Sequence, residues 1–446
     1  MARPIGLVNE PPGHRVVIVG GGFGGLACAR ALDGRPVRVL LVDRHNYHLF
    51  TPLLYQVATS LLNPSDIAYP FRAIFRRSAN VRFRQARVTG VDLDARLVRT
   101  DDTGDLPYDS LVLATGSEND YFSDPDLAGH SLGMKTLAEA MRLRNHVLSC
   151  LELASRTDSV GARRAWLTFV IAGGGPTGVE YAGALAELLK MVLGRDFPEL
   201  EPELARIVLV EGQDRLLGTF HPKLGAYAQR TLRERGIEVR TSTLVERATD
   251  EAVALSDGLS IESRTLVWSA GVRPAHPLAR ADLERSRSGR LRVDDRLRLA
   301  GHPEVYVIGD VASVTEREHE LPMLSPPAMQ AGRHVARTIL REATGRDRGR
   351  AFTYLDKGNM ATIGRRAAVA DVHGLKLKGS IGWLAWLLVH VYYLIGFRNR
   401  AVVLASWGWE YLRRDRPIRL ILRSDDDAVS STLEPGAGNE DPTEST

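Results

Sequence analysis

The stretch RVVIVGGGFGGLACARAL, residues 15–32, constrains what this chain can fold into more than any other. A β-branched run, Val16 to Val19, reads as a strand, and a helical pattern begins after Gly25. Between them Gly20, Gly22 and Gly25 stand in G-x-G-x-x-G spacing. The first glycine permits a tight turn and the second lets a pyrophosphate approach the backbone. The third lets the helix sit close on its strand, so that the helix N-terminus faces the phosphates. A glycine cluster alone is weak, because glycine-rich turns are common. Here the next strand, VRVLLVD, ends in Asp43, an acid placed to accept hydrogen bonds from a ribose.

The pattern recurs. LTFVIAGGGPTGVEYAGALAELL supplies a strand, then Gly173, Gly175 and Gly178, then a helix. The following strand, ARIVLVEG, ends in Glu211 after an extra connection, GRDFPELEPELA. A carboxylate there favours a free 2′-hydroxyl and repels a 2′-phosphate, which predicts NADH over NADPH. Two dinucleotide sites imply two dinucleotides, most economically a resident flavin and a visiting nicotinamide. DSLVLATGS (109–117), RTLVWSAGVRP (264–274) and EVYVIGDVA, with Gly309-Asp310 inside it, are strands with small-residue exits. Each alone is an ordinary strand end; their order along one chain is the informative fact.

At 446 residues, 44% hydrophobic and 25% charged, the chain is long enough for two or three globular domains. Its net charge of +4 is regional: residues 374–423 hold nine Lys/Arg against two acids. That basic region surrounds IGWLAWLLVHVYYLIGF, residues 381–397. A membrane surface explains such a pairing better than nucleic acid does. Seventeen apolar residues fall short of the ~20 needed to span a bilayer. With Lys376 and Lys378 before the run, Arg398 and Arg400 after it, and AVVLASWGWEYLRR following, two interfacial helices are expected. Trp383, Trp386, Tyr392, Tyr393, Trp407 and Trp409 are the aromatics expected at headgroup level, and a homodimer contact is compatible with this. The only cysteines, Cys28 and Cys150, exclude a C-x-x-C pair and read as core filler. Among the twelve histidines, His45 and His48 stand at i, i+3, where structural roles are expected, and no metal site is expected. MARPIGLVNEPPGHR lacks an apolar secretory stretch, so catalysis is expected on the cytoplasmic side. The polar segment 424–446 is expected to be disordered.

On the ordered set GGGFGG…ATG…GGGPTG…GD the chain resembles the two-dinucleotide-domain flavoprotein reductases. VDRHNYHLFTPLLYQVAT, GGGPTGVEYAGALAEL, LSPPAMQAGRHVA and GFRNR…WGWEYL make it similar to the type II NADH:quinone oxidoreductases, which are single-subunit and non-pumping. The resemblance implies an α/β fold: two Rossmann-like dinucleotide-binding domains plus a C-terminal membrane-associating helical region. An FAD domain in two pieces (14–125 and 290–350) would flank an NADH domain (160–289), with a membrane-facing region at 355–423. Gly20, Gly21, Gly22, Phe23, Gly24, Gly25, Asp43, Arg44, Val88, Gly116, Gly309, Asp310, Ser325 and Pro326 would hold FAD. Gly173, Gly174, Gly175, Thr177, Gly178, Glu211, Ala270 and Gly271 would hold NADH. Glu180 would sit near the nicotinamide, Gln330 would line the quinone pocket, and Lys376 would lie near the isoalloxazine. Ser325-Pro326 stands where fuller versions of the motif carry another glutamine. The implied activity moves hydride from NADH to FAD and then two electrons to a membrane quinone, on the cytoplasmic face. Its rivals are a sulfide:quinone reductase, which needs cysteines near the flavin, a reductase with a soluble acceptor, and a non-catalytic NADH sensor.

Overall fold

The computed structural model describes residues 13–102, 104–275, 283–316, 319–346, 349–395, 397–413 and 418–422. The first strand, β1 (His14–Val19), runs into α1 (Phe23–Leu32) and returns as β2 (Val37–Asp43). Two short helices follow, α2 (Leu54–Ala58) and α3 (Pro64–Ile67), then β3 (Val81–Gln85) and β4 (Ser110–Leu113). The chain then crosses to a second sheet. It supplies β5 (Leu132–Gly133), α4 (Leu137–Ser155), β6 (Thr168–Ala172), α5 (Pro176–Val192), β7 (Arg206–Val210), α6 (Pro222–Glu234), β8 (Ile237–Arg240) and β9 (Leu266–Trp268). It comes back through β10 (Arg298–Leu299), β11 (His302–Val307) and α7 (Ser325–Ala343).

The first sheet has the order β10-β11-β4-β1-β2-β3, so strands from the two ends of this region share one layer. The second has the order β5-β9-β6-β7-β8, parallel throughout. Parallel strands are buried on both faces, which is why β1, β4, β6 and β7 read as unbroken apolar runs. The first sheet is thus built from both ends of this region, with the second sheet inserted between them in the chain. The second sheet takes in residues before 160, because β5 pairs Leu132 with Val267 and α4 enters the same core. A capping box between Thr136 and Glu139 starts α4 there.

The C-terminal region is not purely helical. An antiparallel sheet, β12 (Asn359–Gly364), β13 (Ala367–Val372) and β14 (Leu375–Lys378), precedes α8 (Gly379–Tyr393) and α9 (Phe397–Arg413). The two helices expected here are present as α8 and α9. Among the described residues, no helix is long and apolar enough to cross a membrane. The expected roles of the tryptophans need correction. Trp386 is 2% exposed and Trp407 9%, and both join the core of the inserted region instead of facing outward. Helical periodicity sends Ile381, Leu384, Leu388 and Tyr392 to the open side; Leu384 is 53% and Leu388 61% exposed. The stretch 424–446 lies outside the described residues.

Candidate functional site

Two cradles of the same design stand at the ends of β1 and β6. Gly20 has φ +99° and Gly173 φ +104°, conformations that favour glycine. Each is wedged against the exit of a neighbouring strand. A Cβ on Gly20 would lie 2.3 Å from the Ala114 carbonyl oxygen, and one on Gly173 2.6 Å from that of Ser269. The ATG and SAG strand exits of the sequence are therefore the walls behind the two glycine turns. A Cβ at Gly25 would come within 1.8 Å of the Gly20 oxygen, and one at Gly178 within 1.9 Å of the Gly173 oxygen. These contacts hold each helix against its strand. Around Gly22 and Gly175, by contrast, nothing lies within 4 Å of an added Cβ. Both residues are N-caps without a side-chain partner, so the first N–H groups of α1 and α5 are left for an anion.

The carboxylates repeat the symmetry. Asp43 Oδ2 accepts the Gly21 N–H at 2.6 Å, and Oδ1 accepts that of His45 at 2.8 Å. Glu211 Oε2 accepts the Gly174 N–H at 2.6 Å, and Oε1 that of Gln213 at 2.7 Å. Each oxygen retains a further acceptor position for a ribose hydroxyl. An open phosphate bed beside an oriented carboxylate, present twice, fits two dinucleotides. Phe23 meets His48 and Phe50 edge-on, and His48 Nδ1 lies 2.9 Å from the Gly21 oxygen, a structural role. Gln85 donates to the Arg44 carbonyl, and the N–H of Ala86, two residues before Val88, donates to the Asp43 carbonyl. Gly24 meets the Ala328 carbonyl of α7, whose Ser325-Pro326 start has no side-chain cap. Ser117 Oγ, next to Gly116, donates to Asp310 Oδ2, and Gly309 turns at φ +74°. On the second cradle, Thr177 sits in the first turn of α5, and Ala270-Gly271 follows β9 beside Gly173.

α5 lies close on β12, because Gly183 has no side chain: a Cβ there would sit 2.2 Å from the Ile363 oxygen. This approach lets Glu180 Oε1 accept the Thr362 N–H at 3.1 Å. Seven residues on, Glu187 pairs with the Arg365 N–H and with Arg235 Nη1 at 2.6 Å. Glu180 is buried, and loss of solvation pushes its pKa up to about 8, against the opposing pull of the Thr362 N–H and the Trp386 indole. At neutral pH it is mostly a neutral acid.

The structure does not bring every expected residue to this centre. Gln330, in the second turn of α7, has both amide atoms engaged by one backbone residue: Nε2 donates to the Leu355 oxygen (2.9 Å), and Oε1 accepts its N–H (3.0 Å). It anchors the segment before β12. Lys376 is exposed on the edge strand β14, paired through Asp371 with Asn359, and is not at the Glu180 centre. A lysine that reaches α8 is Lys357, whose Nζ donates to the Tyr393 hydroxyl at 3.0 Å. Sequence reasoning also missed Tyr55, Gln56 and Thr362, which line a cleft with Trp383, Trp386 and Trp407. The polar pair Tyr55-Gln56 inside the apolar TPLLYQVAT was the available signal. Cys28 and Cys150 are buried free thiols, each pushed up to about 12 by burial. Among the described residues no cluster of three His, Cys, Asp or Glu could hold a metal.

Residues 14–332 match the pyridine nucleotide-disulphide oxidoreductase family, and residues 357–414 match the NDH2 C-terminal domain. The type II NADH:quinone oxidoreductase NdhA of Mycobacterium tuberculosis is 39% identical over 90% of this chain and 88% of its own length. The Ndh enzyme of the same organism is 38% identical, over 92% and 90% respectively. Among solved structures, NDH2 of Plasmodium falciparum in complex with NADH superposes with a TM-score of 0.84, covering 92% of this chain and all of that one at 18% identity. The sulfide:quinone oxidoreductase of Aquifex aeolicus gives 0.70 at 16% identity, covering 92% of this chain and 96% of that one. With its glycine cradles, its split first sheet and its C-terminal region all matched, the chain belongs to the type II NADH:quinone oxidoreductases.

Proposed function

We propose that this chain is a membrane-associated NADH:quinone oxidoreductase, with NADH seated over Gly173–Gly178 and FAD over Gly20–Gly25. Bound FAD supplies two-electron redox chemistry. The protein's task is then to position two rings, exclude water and manage protons. The observation that carries this reading is the duplicated cradle, each with an uncapped helix start and a carboxylate bonded to its glycine turn. Glu211 accepts the free ribose hydroxyl and disfavours a 2′-phosphate. Glu180 holds a proton near the nicotinamide side of α5, in a site dry enough to keep it. Gln330, by fixing Leu355, shapes the acceptor side of the cavity.

Quinones of the bilayer are reached through α8 and α9. The stripe Ile381, Leu384, Leu388 and Tyr392 is exposed and apolar, with Leu404 and Trp409 beside it on α9. Lys376 and Lys378 on β14 flank it with positive charge for anionic headgroups. A sulfide:quinone activity is disfavoured by the thiols, since both cysteines are buried in α1 and α4 with raised pKa values. The test is anaerobic stopped flow. NADH should bleach the flavin absorbance, and a quinone analogue should restore it. A protein that takes up no flavin, or whose flavin ignores NADH, refutes the reading.

A further inference from the structure

A line of hydrogen bonds runs from α9 to the Glu180 centre through one buried amide. The Trp407 indole Nε1 donates to Gln56 Oε1 at 2.8 Å, and Gln56 Nε2 donates to the Tyr55 hydroxyl at 2.9 Å. That hydroxyl lies 3.3 Å from Thr362 Oγ1, and the Thr362 N–H donates to Glu180. An indole N–H can only donate, so the Gln56 oxygen must face it. The Gln56 amino group must then face Tyr55. The phenol oxygen therefore accepts from Gln56, and its own hydrogen is left to point on toward Thr362. Reversing the amide would set two N–H donors against each other at the indole.

α9 is seated firmly enough to impose this polarity. Asn399, Val403 and Trp407 recur at four-residue spacing and are buried together. The Asn399 amide donates to the carbonyls of Ser65 (3.1 Å) and Asp66 (3.0 Å) in α3. The opposite face of α9 carries exposed Leu404 and Trp409. The same helix thus meets the proposed lipid surface on one side and the α2–α3 segment on the other.

We propose that Gln56 is a positioning residue: set by the Trp407 indole, it orients the Tyr55 hydroxyl beside Thr362 and Glu180, making the quinone half-reaction depend on the seating of α9. This rests on the quinone reductase reading above. Gln56→Met keeps the volume and removes both hydrogen bonds. Protonated glutamate at the same position restores both, because its carbonyl accepts and its O–H donates.

The experiment follows reoxidation of NADH-reduced holoenzyme by a quinone analogue in liposomes, with flavin reduction by NADH as the internal control. Gln56→Met should slow reoxidation roughly three- to tenfold, the scale of one neutral hydrogen bond, and leave flavin reduction unchanged. Gln56→Glu should recover that loss at about pH 6, where burial favours its neutral acid. Comparing the two variants at each pH holds the other charged and ionisable groups constant: Tyr55, Glu187 and Arg365, which line the cleft, and Glu180 beside Thr362. Trp407→Phe, which keeps a ring and loses the N–H, should match Gln56→Met, and the double variant should be no slower than either. A Gln56→Glu enzyme no faster than Gln56→Met at any pH, or losses that multiply in the double variant, overturns the proposal. Wild-type reduced flavin that ignores quinone altogether instead fails the function on which it rests.

Discussion

Glutamine at position 180 tests the raised carboxyl of Glu180. Its ordinary value is 4.5, and burial moves it to about 8 in the folded protein. Between those limits the folded chain holds a proton that the unfolded chain has released. This contribution to stability is full below the unfolded value and is lost as pH rises through the folded one. At ~1.36 kcal/mol per pH unit the whole swing is on the order of 4–5 kcal/mol. Glu180→Gln presents the same acceptor to the Thr362 N–H, keeps the shape and cannot ionise. Urea unfolding of both flavin-loaded proteins, at about pH 5 and about pH 8.5, isolates the difference. The variant should gain several kcal/mol on the wild type across that interval. His48, His146 and His390, each lowered to about 4 by burial, titrate on the acid side in both proteins and drop out of the subtraction. A difference that stays constant with pH would show that Glu180 is ionised in the fold, and the neutral acid near the nicotinamide would have to be abandoned.

Glu211→Gln should narrow the preference for NADH over NADPH, read from kcat/KM for each; a wild type that already prefers NADPH rejects the ribose assignment. Gly25→Ala places a Cβ 1.8 Å from the Gly20 oxygen and should purify without flavin, as absorbance at 450 nm would show with a cut-off of about one tenth of wild-type loading. Replacing exposed Leu384 and Leu388 together by serine should weaken binding to anionic vesicles by at least about a hundredfold with Tm unchanged, since each leucine is worth ~1.5–3 kcal/mol when buried in lipid. Trp386→Ala, in contrast, should cost ~3–5 kcal/mol of stability, because that ring lies in the protein core; equal stability would place it on the lipid face after all. Gln330→Leu releases Leu355 and should slow flavin reoxidation by quinone more than flavin reduction by NADH, in the same stopped-flow traces.

Much of this protein was legible because its chemistry depends on backbone geometry. Gly20 and Gly173 turn where a side chain would strike a neighbouring strand, and Asp43 and Glu211 end strands at a set distance from them. Such requirements fix residue types at short, regular spacings, so a linear string carries them. The same holds for a helix pattern rich in apolar residues after β14, which announced α8 and α9. What each helix face meets is a different matter. Trp386 and Trp407 look like interfacial aromatics by type, yet the rotation of α8 and α9 about their axes turns them inward and leaves Leu384 and Leu388 outside. That rotation is set by partners more than 300 positions earlier in the chain, Gln56 for Trp407 and Ser65-Asp66 for Asn399. Lys376 and Gln330 were placed by the motifs around them, whereas strand pairing carried the first to an edge and hydrogen bonding tied the second to Leu355. Local spacing determined where the two dinucleotides could lie. Long-range packing, which no spacing records, decided which side chains of α8 and α9 enter the core and which stand open.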